Sequence, residues 1–325
     1  MIGALDKPLQ GDAAVLAWNQ LQHTSAEPRH VEALKQSRKC AVYRLEGIGP
    51  DGTTLIAKRS AATRARIEWT IYKQFLPHVP VPSVQCYGYR EELEGKFWWL
   101  FLEEANGERY VPERSDHRAV AGHWLGAMHR TSLDVELPAS LPDRGLEHHR
   151  QLLCAARAEL WERVDNPVLS ADEVALLRSI AAECDVLDTQ WEVLEQECNS
   201  APRVLVHGDF ARKNLRVRDG AALLVFDWDK AGWGSPAIDL AQFVGHTASP
   251  DLVVYCSVFG QLDVRAIQRL ADCGNLLRIV DKISWATACM TGDAYELLLR
   301  PLSMLRKYES QLAAALRAVD WGQDD

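Results

Sequence analysis

The sequence predicts an α+β fold in which a small sheet-rich lobe precedes a larger helical lobe. Two strand hairpins with one helix between them fill the N-terminal third of the chain. Apolar patterns with helical spacing then dominate to the C-terminal end, except at residues 204–229, where short apolar runs alternate with polar loops. The lobes join near Asn106-Gly107, so we predict one domain at 1–105 and a second at 106–325.

The sheet-rich lobe is predicted from apolar strands joined by short turns. A Gly-Pro-Asp-Gly turn separates the first two strands, which therefore form a hairpin. The helix between the two hairpins, 64–76, carries Ile67, Ile71 and Phe75 on one face. An earlier helix begins near Asp12, which is a suitable N-cap. The predicted strands are 40–48, 53–58, 83–90 and 96–103.

The helical lobe is predicted from longer apolar patterns. Helices are expected at 116–128, 152–164 and 171–196, and again from about residue 230 to residue 318.

Composition excludes several classes of protein. The chain has 325 residues, of which 47% are hydrophobic and 25% are charged, so we expect a globular protein rather than a disordered one. The formal net charge of −9 argues against a general nucleic-acid binder, because such proteins need a basic surface for phosphates. An acidic balance is compatible with a cationic substrate.

Neither a membrane span nor a disulfide framework is expected. No apolar run approaches the roughly 18–20 residues that span a bilayer, and the N-terminal segment lacks the basic-then-apolar layout of a secretion signal. The cysteines are scattered without a Cys-x-x-Cys pair, which argues against disulfides and a zinc cluster. These observations predict a cytoplasmic protein.

Two apolar runs each lead to oxygen-bearing side chains. The run 204–206 precedes Asp209, with Asn214 five residues later, and the run 223–226 precedes Asp227. Mg²⁺ prefers a few protein oxygens together with phosphate and water. We therefore expect Asn214 and Asp227 to hold Mg²⁺ and Asp209 to accept a proton from a substrate hydroxyl. Ordinary turn residues are the alternative for any one of them taken alone.

Three ordered motifs resemble those of aminoglycoside phosphotransferases and choline-kinase-like enzymes. Residues 207–214, HGDFARKN, resemble the HGDxxxxN catalytic loop of that family. Residues 226–229, FDWD, resemble its metal-binding segment, and residues 234–241, GSPAIDLA, resemble its GxPxxDLA signature. The resemblance covers roughly residues 30–245.

The resemblance implies a bilobal protein-kinase-like fold. Such a fold has a small antiparallel β-sheet N-terminal lobe with one main helix and a larger, mostly helical C-terminal lobe. The resemblance also implies an enzyme that transfers the γ-phosphate of ATP or GTP, with Mg²⁺, to a hydroxyl of a small molecule.

The resemblance further implies roles for residues that bind the nucleotide. Lys58, at the end of a predicted strand, would hold the α- and β-phosphates, and Glu68 on the following helix would hold that lysine. The hinge between the lobes would bind the adenine edge through the carbonyl of Glu103 and the amide of Ala105. The phosphate-covering loop is expected near Ser37, in a Ser-Arg-Lys-Cys segment that contains no glycine.

A second group of residues is implied to support the site. His207 would pack beneath the catalytic loop, and Asp239 would accept hydrogen bonds from its backbone. Asp229 would assist the metal or meet the substrate. His129 matches the histidine of the family's LGxxH helix, so we expect it to be buried behind the site.

Three other functions stay open at this point. A protein kinase is one, and it would need a peptide-docking surface that the sequence does not announce. A catalytically silent nucleotide-binding scaffold is another, although every catalytic position holds a competent residue type. A Mg²⁺-dependent phosphohydrolase is the third, and it would need neither Lys58 nor Glu68. Its residues would be His207, Asp209, Asp227 and Asp229.

The sequence does not identify the acceptor. We expect a small hydroxyl-bearing molecule, cationic or not, and neither a nucleic acid nor a membrane as partner. Four acidic residues of the helical lobe could line a cationic pocket, although surface positions are the commoner interpretation: Glu159, Glu162, Asp165 and Asp172.

Overall fold

The chain folds into two compact units. The structure, a computed structural model, describes residues 11–37, 40–136, 138, 140–260, 262–292, 294–319 and 321. The first unit comprises Met1–Arg109 and Asn214–Lys230, and the second comprises Tyr110–Lys213 and Ala231–Asp325. The first unit thus ends at Arg109 rather than at residue 105, and it takes in a segment that the sequence assigned to the C-terminal domain.

Strands and helices follow one another as an α+β chain. The strands are β1 (His30–Gln36), β2 (Cys40–Glu46), β3 (Leu55–Ala61), β4 (Cys86–Glu91), β5 (Phe97–Glu103), β6 (Glu108–Arg109), β7 (Asp143–Arg144), β8 (Val204–Val206), β9 (Leu215–Arg218), β10 (Ala222–Val225) and β11 (Gly232–Gly234). The α-helices are α1 (Gly11–Gln22), α2 (Ala62–Thr70), α3 (Ser115–Ser132), α4 (Leu146–Arg163), α5 (Ala171–Thr189), α6 (Trp191–Asn199), α7 (Ala237–Leu240), α8 (Leu252–Phe259), α9 (Val264–Thr287) and α10 (Tyr295–Ala318).

The first unit is built on an antiparallel five-stranded sheet. Its strand order is β1-β2-β3-β5-β4, and β2 and β3 form the predicted hairpin. Helix α1 packs on this sheet through Trp18, whose ring centroid lies 5.2 Å from that of Phe101 and whose indole donates to the carbonyl of Ile48. A second sheet of this unit has the order β10-β9-β6.

Two features of the first unit differ from the sequence prediction. Strand β1 was not predicted, because it is a largely exposed edge strand and its side chains lack apolar alternation. The predicted helix 64–76 is α2 followed by a π-helical turn at Ile71–Phe75 and a 3₁₀ turn at Leu76–His78. The side chain of Asp12 lies outside the described residues, as do Arg38 and Lys39.

The second unit is mainly helical, as the sequence predicted. A capping box between Ser170 and Glu173 fixes the start of α5 at Ala171, the predicted position. The single helix predicted at 171–196 is divided into α5 and α6 at Gln190, which leaves the helical conformation. A small sheet of order β7-β11-β8 lies in the same unit.

Close backbone contact determines how α9 packs in the second unit. A Cβ at Gly274 would lie 1.9 Å from the carbonyl oxygen of Ala237 in α7. Only glycine lets the two helices approach this closely. One turn further along α9 is Arg278, so this contact also determines where that arginine lies.

In the residues that the structure describes, no helix combines the length and apolar character required to cross a membrane. All eight cysteines are described, and each carries a free thiol, as predicted.

We predict that Gly274→Ala destabilises the second unit. The added methyl group must displace the backbone of Ala237, so the free energy of unfolding should fall by about 1–3 kcal/mol. Urea denaturation measures this change. Gly292→Ala is the control, because its Cβ would meet only the flexible end of Leu297 at 3.0 Å. Equal stability of the two variants would contradict the packing described for α9.

Candidate active site

The first unit contains a cavity of about 450 Å³, a volume typical of small-molecule sites. Its apolar lining comes from strands of the large sheet and from residues just outside β4 and β10: Leu34, Val42, Ile56, Val84, Leu102 and Phe226. Its charged side chains include both signs: Arg44, Lys58, Arg64, Glu68, Arg216, Asp227 and Asp229. An apolar slot that also contains charged side chains suits a flat aromatic ring that carries an anionic chain.

Lys58 and Glu68, which the sequence paired, are brought together. Lys58 lies in the middle of β3 rather than at a strand end, and its Nζ is 2.6 Å from Oε1 of Glu68 in α2. The same Nζ donates to the carboxylate of Asp227. Burial lowers the pKa of Lys58, but these carboxylates outweigh burial, and the pKa lies well above its usual value. Lys58 is therefore a fixed positive charge in the cavity.

Glu68 is fully buried, and burial raises its pKa to about 7 although the positive charge of Lys58 opposes this shift. The side chain extends from α2 toward β3, on the side of the helix that carries Ala65 into the core. Glu68 thus depends on Lys58 for the charge compensation that a buried carboxylate needs.

The residues predicted to hold metal lie at the same end of the β9–β10 hairpin in the first unit: Asn214 precedes β9, and Asp227 follows β10. The amide of Phe226 donates to the carbonyl of Asn214 at 3.1 Å, which brings the end of β10 next to the start of β9. Asp227 follows at a φ of 70°, a left-handed conformation that is uncommon outside glycine, and its carboxylate lines the cavity. Asp229 also lines the cavity, 3.3 Å from Arg64. Amide and carboxylate oxygens of this kind fit Mg²⁺.

The predicted hinge lines the cavity, whereas Ser37 does not. Glu103 and Ala105 belong to a run of consecutive residues, 102–107, that lines the cavity. The carboxylate of Glu103 forms an ion pair with Arg218 at 2.6 Å. The side chain is therefore not needed for the predicted contact, which uses the backbone carbonyl of Glu103. The Ser37 hydroxyl closes the β1–β2 turn by donating to the carbonyl of Cys40 at 2.9 Å. Ser37 was expected beside the phosphates, but among the described residues of this turn it is Cys40 that borders the cavity.

In the second unit, Asp239 holds the segment that leads to Asp209. Its two carboxylate oxygens accept the amides of His207 at 2.6 Å and Gly208 at 3.0 Å. Gly208 has a φ of 73°, which turns the chain so that the next side chain leaves the strand direction. The Nδ1 of His207 accepts the amide of Asp209 at 3.2 Å. His207 and Asp239 therefore have the supporting contacts that the motifs indicated.

His129 is buried behind this segment, as expected. Its Nε2 lies 3.5 Å from the Asp239 carboxylate, and its Nδ1 lies 3.0 Å from the hydroxyl of Tyr255. The Nε2 of His129 thus lies beside the same oxygen of Asp239, Oδ2, that accepts the amide of His207.

Asp209 is largely buried among cations that the motifs did not indicate. Arg278 in α9 donates to its Oδ1 at 2.7 Å and to the carbonyl of Gly208 at 2.8 Å. Lys213 lies 2.7 Å from Oδ2, and Lys282 lies 3.8 Å from Oδ1. Burial raises the pKa of Asp209, but the three cations outweigh burial and hold the pKa well below its usual value.

Sequence reasoning missed Arg278 because it is far from the motifs along the chain. One signal was available: the residue interrupts an apolar stretch, Leu-Leu-Arg-Ile-Val at 276–280, and a charge at a buried position needs a partner.

The four acidic residues considered for a cationic pocket do not gather around Asp209. Glu159 forms an ion pair with Arg163 at 2.8 Å on α4. The other three are exposed on the second unit: Glu162, Asp165 and Asp172.

Solved structures with the same fold are similar to this chain at low identity. A GDP complex of a mutant aminoglycoside 2'-phosphotransferase-IIIa has a TM-score of 0.67 and 13% identity, over 94% of this chain and 99% of that chain. Spectinomycin phosphotransferase with ADP and spectinomycin has a TM-score of 0.61 and 11% identity, over 96% and 100%. Ethanolamine kinase of Plasmodium vivax has a TM-score of 0.60 and 12% identity, over 93% and 86%. The predicted bilobal protein-kinase-like fold is confirmed.

The family is also established. A family model described as the phosphotransferase enzyme family matches residues 42–269, more than two thirds of the chain. The chain therefore belongs to this family and is a small-molecule phosphotransferase with a hydroxyl acceptor. A search of curated proteins finds no significant match.

We predict that Glu68→Gln flattens the pH dependence of stability. The pKa of Glu68 rises from 4.5 to about 7 on folding, so the folded state binds more protons than the unfolded state within that window. Stability therefore falls as pH rises through it, by up to about 3 kcal/mol at 1.36 kcal/mol per pKa unit. Glutamine cannot ionise, so the variant should lose this slope in denaturation measured across the window.

The control for this measurement is Glu94→Gln, which removes a carboxylate that is 76% exposed beside Lys96. Its stability curve should run parallel to that of the unchanged protein. If the stability of Glu68→Gln changed with pH in the same way as that of the unchanged protein, the assigned pKa of Glu68 would be contradicted.

Proposed function

We propose that the chain transfers the γ-phosphate of ATP or GTP to a hydroxyl of a small molecule. The observation that carries this proposal is the cavity of the first unit, which combines an apolar slot with a fixed ammonium and two carboxylates. A purine fits the slot, and triphosphate oxygens fit Lys58. A phosphohydrolase has no need for a slot of this kind.

The nucleotide is bound by backbone groups and one lysine. The backbone at Glu103 and Ala105 meets the purine edge, and the apolar side chains of the slot cover its two faces. Lys58 binds the α- and β-phosphates, and Glu68 keeps its side chain in position. When the triphosphate enters, its oxygens replace the Asp227 carboxylate as partner of Lys58 and leave Asp227 available for a metal.

Asn214 and Asp227 would hold Mg²⁺, with Asp229 beside them. Mg²⁺ bound there would neutralise charge on the β- and γ-phosphates. The support for this assignment is that Asp227 and Asp229 line the cavity beside Lys58, while the backbone of Asn214 is bonded to Phe226, the residue before Asp227.

Asp209 orients the acceptor hydroxyl. The bond between the acceptor oxygen and the γ-phosphorus forms, the bond from that phosphorus to the β-phosphate oxygen breaks, and the hydroxyl proton passes to Asp209. A carboxylate with so low a pKa is a weak base, so the proton moves late, when the oxygen has become acidic. This order suits the loose transition state of phosphoryl transfer, which needs positioning more than deprotonation.

We predict that Asp209→Asn lowers kcat by about 10²–10⁴-fold while nucleotide affinity changes little. The nucleotide-binding side chains belong to the first unit, whereas Asp209 belongs to the second. Steady-state rates and nucleotide titration measure the two quantities. Asp185→Asn, which changes a half-exposed carboxylate paired with Arg157, is the matched control. Parallel loss of nucleotide affinity would contradict the role of Asp209.

We predict that Lys58→Met raises the nucleotide KM at least tenfold and lowers kcat. The variant removes the cation assigned to the phosphates and leaves two carboxylates in its place. Lys96→Met is the control, because that lysine is 73% exposed next to the same sheet. Thermal unfolding of each variant separates a binding defect from misfolding. A folded Lys58→Met protein with unchanged nucleotide kinetics would remove Lys58 from the site.

A further inference from the structure

Asp209 is surrounded by more positive charge than it needs. Arg278 already gives the buried carboxylate a partner and also binds the carbonyl of Gly208, so one cation would neutralise it. Lys213 at 2.7 Å and Lys282 at 3.8 Å add two more. Three positive charges beside one negative charge leave a net charge of about +2 next to the group that we assign to the acceptor hydroxyl.

The positive region extends beyond these contacts. The pKa of His246 is lowered by burial and by the charges of nearby basic residues. We call these residues the cationic patch: Arg212, Lys213, Lys282 and Lys307. They come from three separate parts of the second unit, namely the segment after Asp209, α9 and α10. Charges gathered from separate elements repel one another, so the fold brings them together at a cost in stability.

Lys282 is held in this patch rather than free in solvent. Its side chain is only 18% exposed. Its stem lies against Gly245, where a Cβ would stand 3.2 Å from Cε and 3.4 Å from Cγ of the lysine. Most lysines extend their ammonium groups into water, away from neighbouring cations. Here the stem is packed and the ammonium stays close to Asp209.

No acidic residue considered for a cationic acceptor offsets the patch. Glu159 is paired with Arg163. Asp281, next to Lys282 in sequence, lies 3.9 Å from His149 of α4, and burial lowers the pKa of that histidine, so Asp281 keeps its negative charge. Together with Asp209 it is still outnumbered by Arg278 and the cationic patch. A cationic acceptor would therefore meet repulsion where it must bring its hydroxyl to Asp209. An acceptor with negatively charged oxygens would meet attraction there.

We propose that the acceptor carries an oxyanion, a carboxylate or a phosphate monoester, close to the hydroxyl that is phosphorylated. Lys282 binds this oxyanion, with Lys307 adding to the field around it. Lys213 follows Asp209 in the same loop and is equally suited to the transferring phosphate, so Lys282 is the residue that identifies the acceptor class. This inference rests on the proposed function and names its substrate.

Matched acceptors test the proposal. One series is glycerol, glycerate, glycerol 3-phosphate and 3-amino-1,2-propanediol. The other is glucose, gluconate, glucose 6-phosphate and glucosamine. Release of nucleoside diphosphate is followed for each acceptor with ATP or GTP and Mg²⁺. We expect kcat/KM for an anionic member to exceed that of its neutral counterpart at least tenfold, with the cationic member lowest, and the carboxylate and phosphate arms distinguish the two oxyanions.

Variants of Lys282 test whether the preference for anionic acceptors depends on the cationic patch. Lys282→Met also changes the charge around Asp209, so the test is the ratio of the two acceptors: kcat/KM should fall at least tenfold more for the preferred anionic acceptor than for its neutral counterpart. Lys282→Arg keeps the charge and should recover most of the activity. Arg269→Gln is the control, because it removes an exposed cation of the same helix that binds Glu197. An equal loss for all acceptors, or a preference for the cationic members, would overturn the proposal.

A binding measurement keeps the test decisive if no acceptor in the two series is phosphorylated. Thermal unfolding is recorded with the nucleotide cavity filled by ADP and with each anionic compound added. A rise in Tm that Lys282→Met abolishes supports the oxyanion site, and the absence of any such rise overturns it. Failure of the nucleotide itself to raise the Tm would instead contradict the proposed function, so the two failures are distinguishable.

Discussion

A buried carboxylate that must stay ionised is the constraint on which the second unit is built. Asp209 keeps its charge because Arg278, itself buried, donates to it from α9. That arginine reaches the loop because Gly274, one turn earlier, lets α9 touch the backbone of α7. Helix α7 in turn carries Asp239, whose carboxylate fixes the backbone before Asp209. One helix contact therefore determines both the position and the charge state of Asp209, the group that we assign to the acceptor hydroxyl.

The first unit uses the opposite arrangement of charge. There a buried cation, Lys58, stands among carboxylates, and Glu68 and Asp227 keep it charged and oriented. An excess of negative charge around a cation suits a site that receives a metal ion together with a polyphosphate. An excess of positive charge around Asp209 suits an acceptor that brings its own negative charge. The two units are thus complementary to the two substrates of one transfer reaction.

The fold class and most of the site residues could be predicted from sequence because their signals are local. Asp209, Asn214 and Asp227 lie in short motifs, and Lys58 and Glu68 are ten residues apart on neighbouring elements. Arg278 and Lys282 could not be predicted in the same way, because α9 meets the loop that carries Asp209 only through tertiary packing. Strand β1 was missed because an exposed edge strand has no apolar alternation to reveal it. The contact of the Ser37 hydroxyl was not anticipated, because a serine hydroxyl can close a turn by bonding to the backbone as readily as it can bind a phosphate.

The central claim is that phosphate passes from a nucleotide to a hydroxyl. Phosphorus-31 NMR of a reaction with ATP or GTP, Mg²⁺ and an acceptor tests it most directly, since it identifies every phosphorus-containing product. The account predicts a new phosphate monoester in an amount equal to the nucleoside diphosphate formed. Inorganic phosphate in that amount, with no monoester whichever acceptor is added, would contradict the account and indicate a phosphohydrolase.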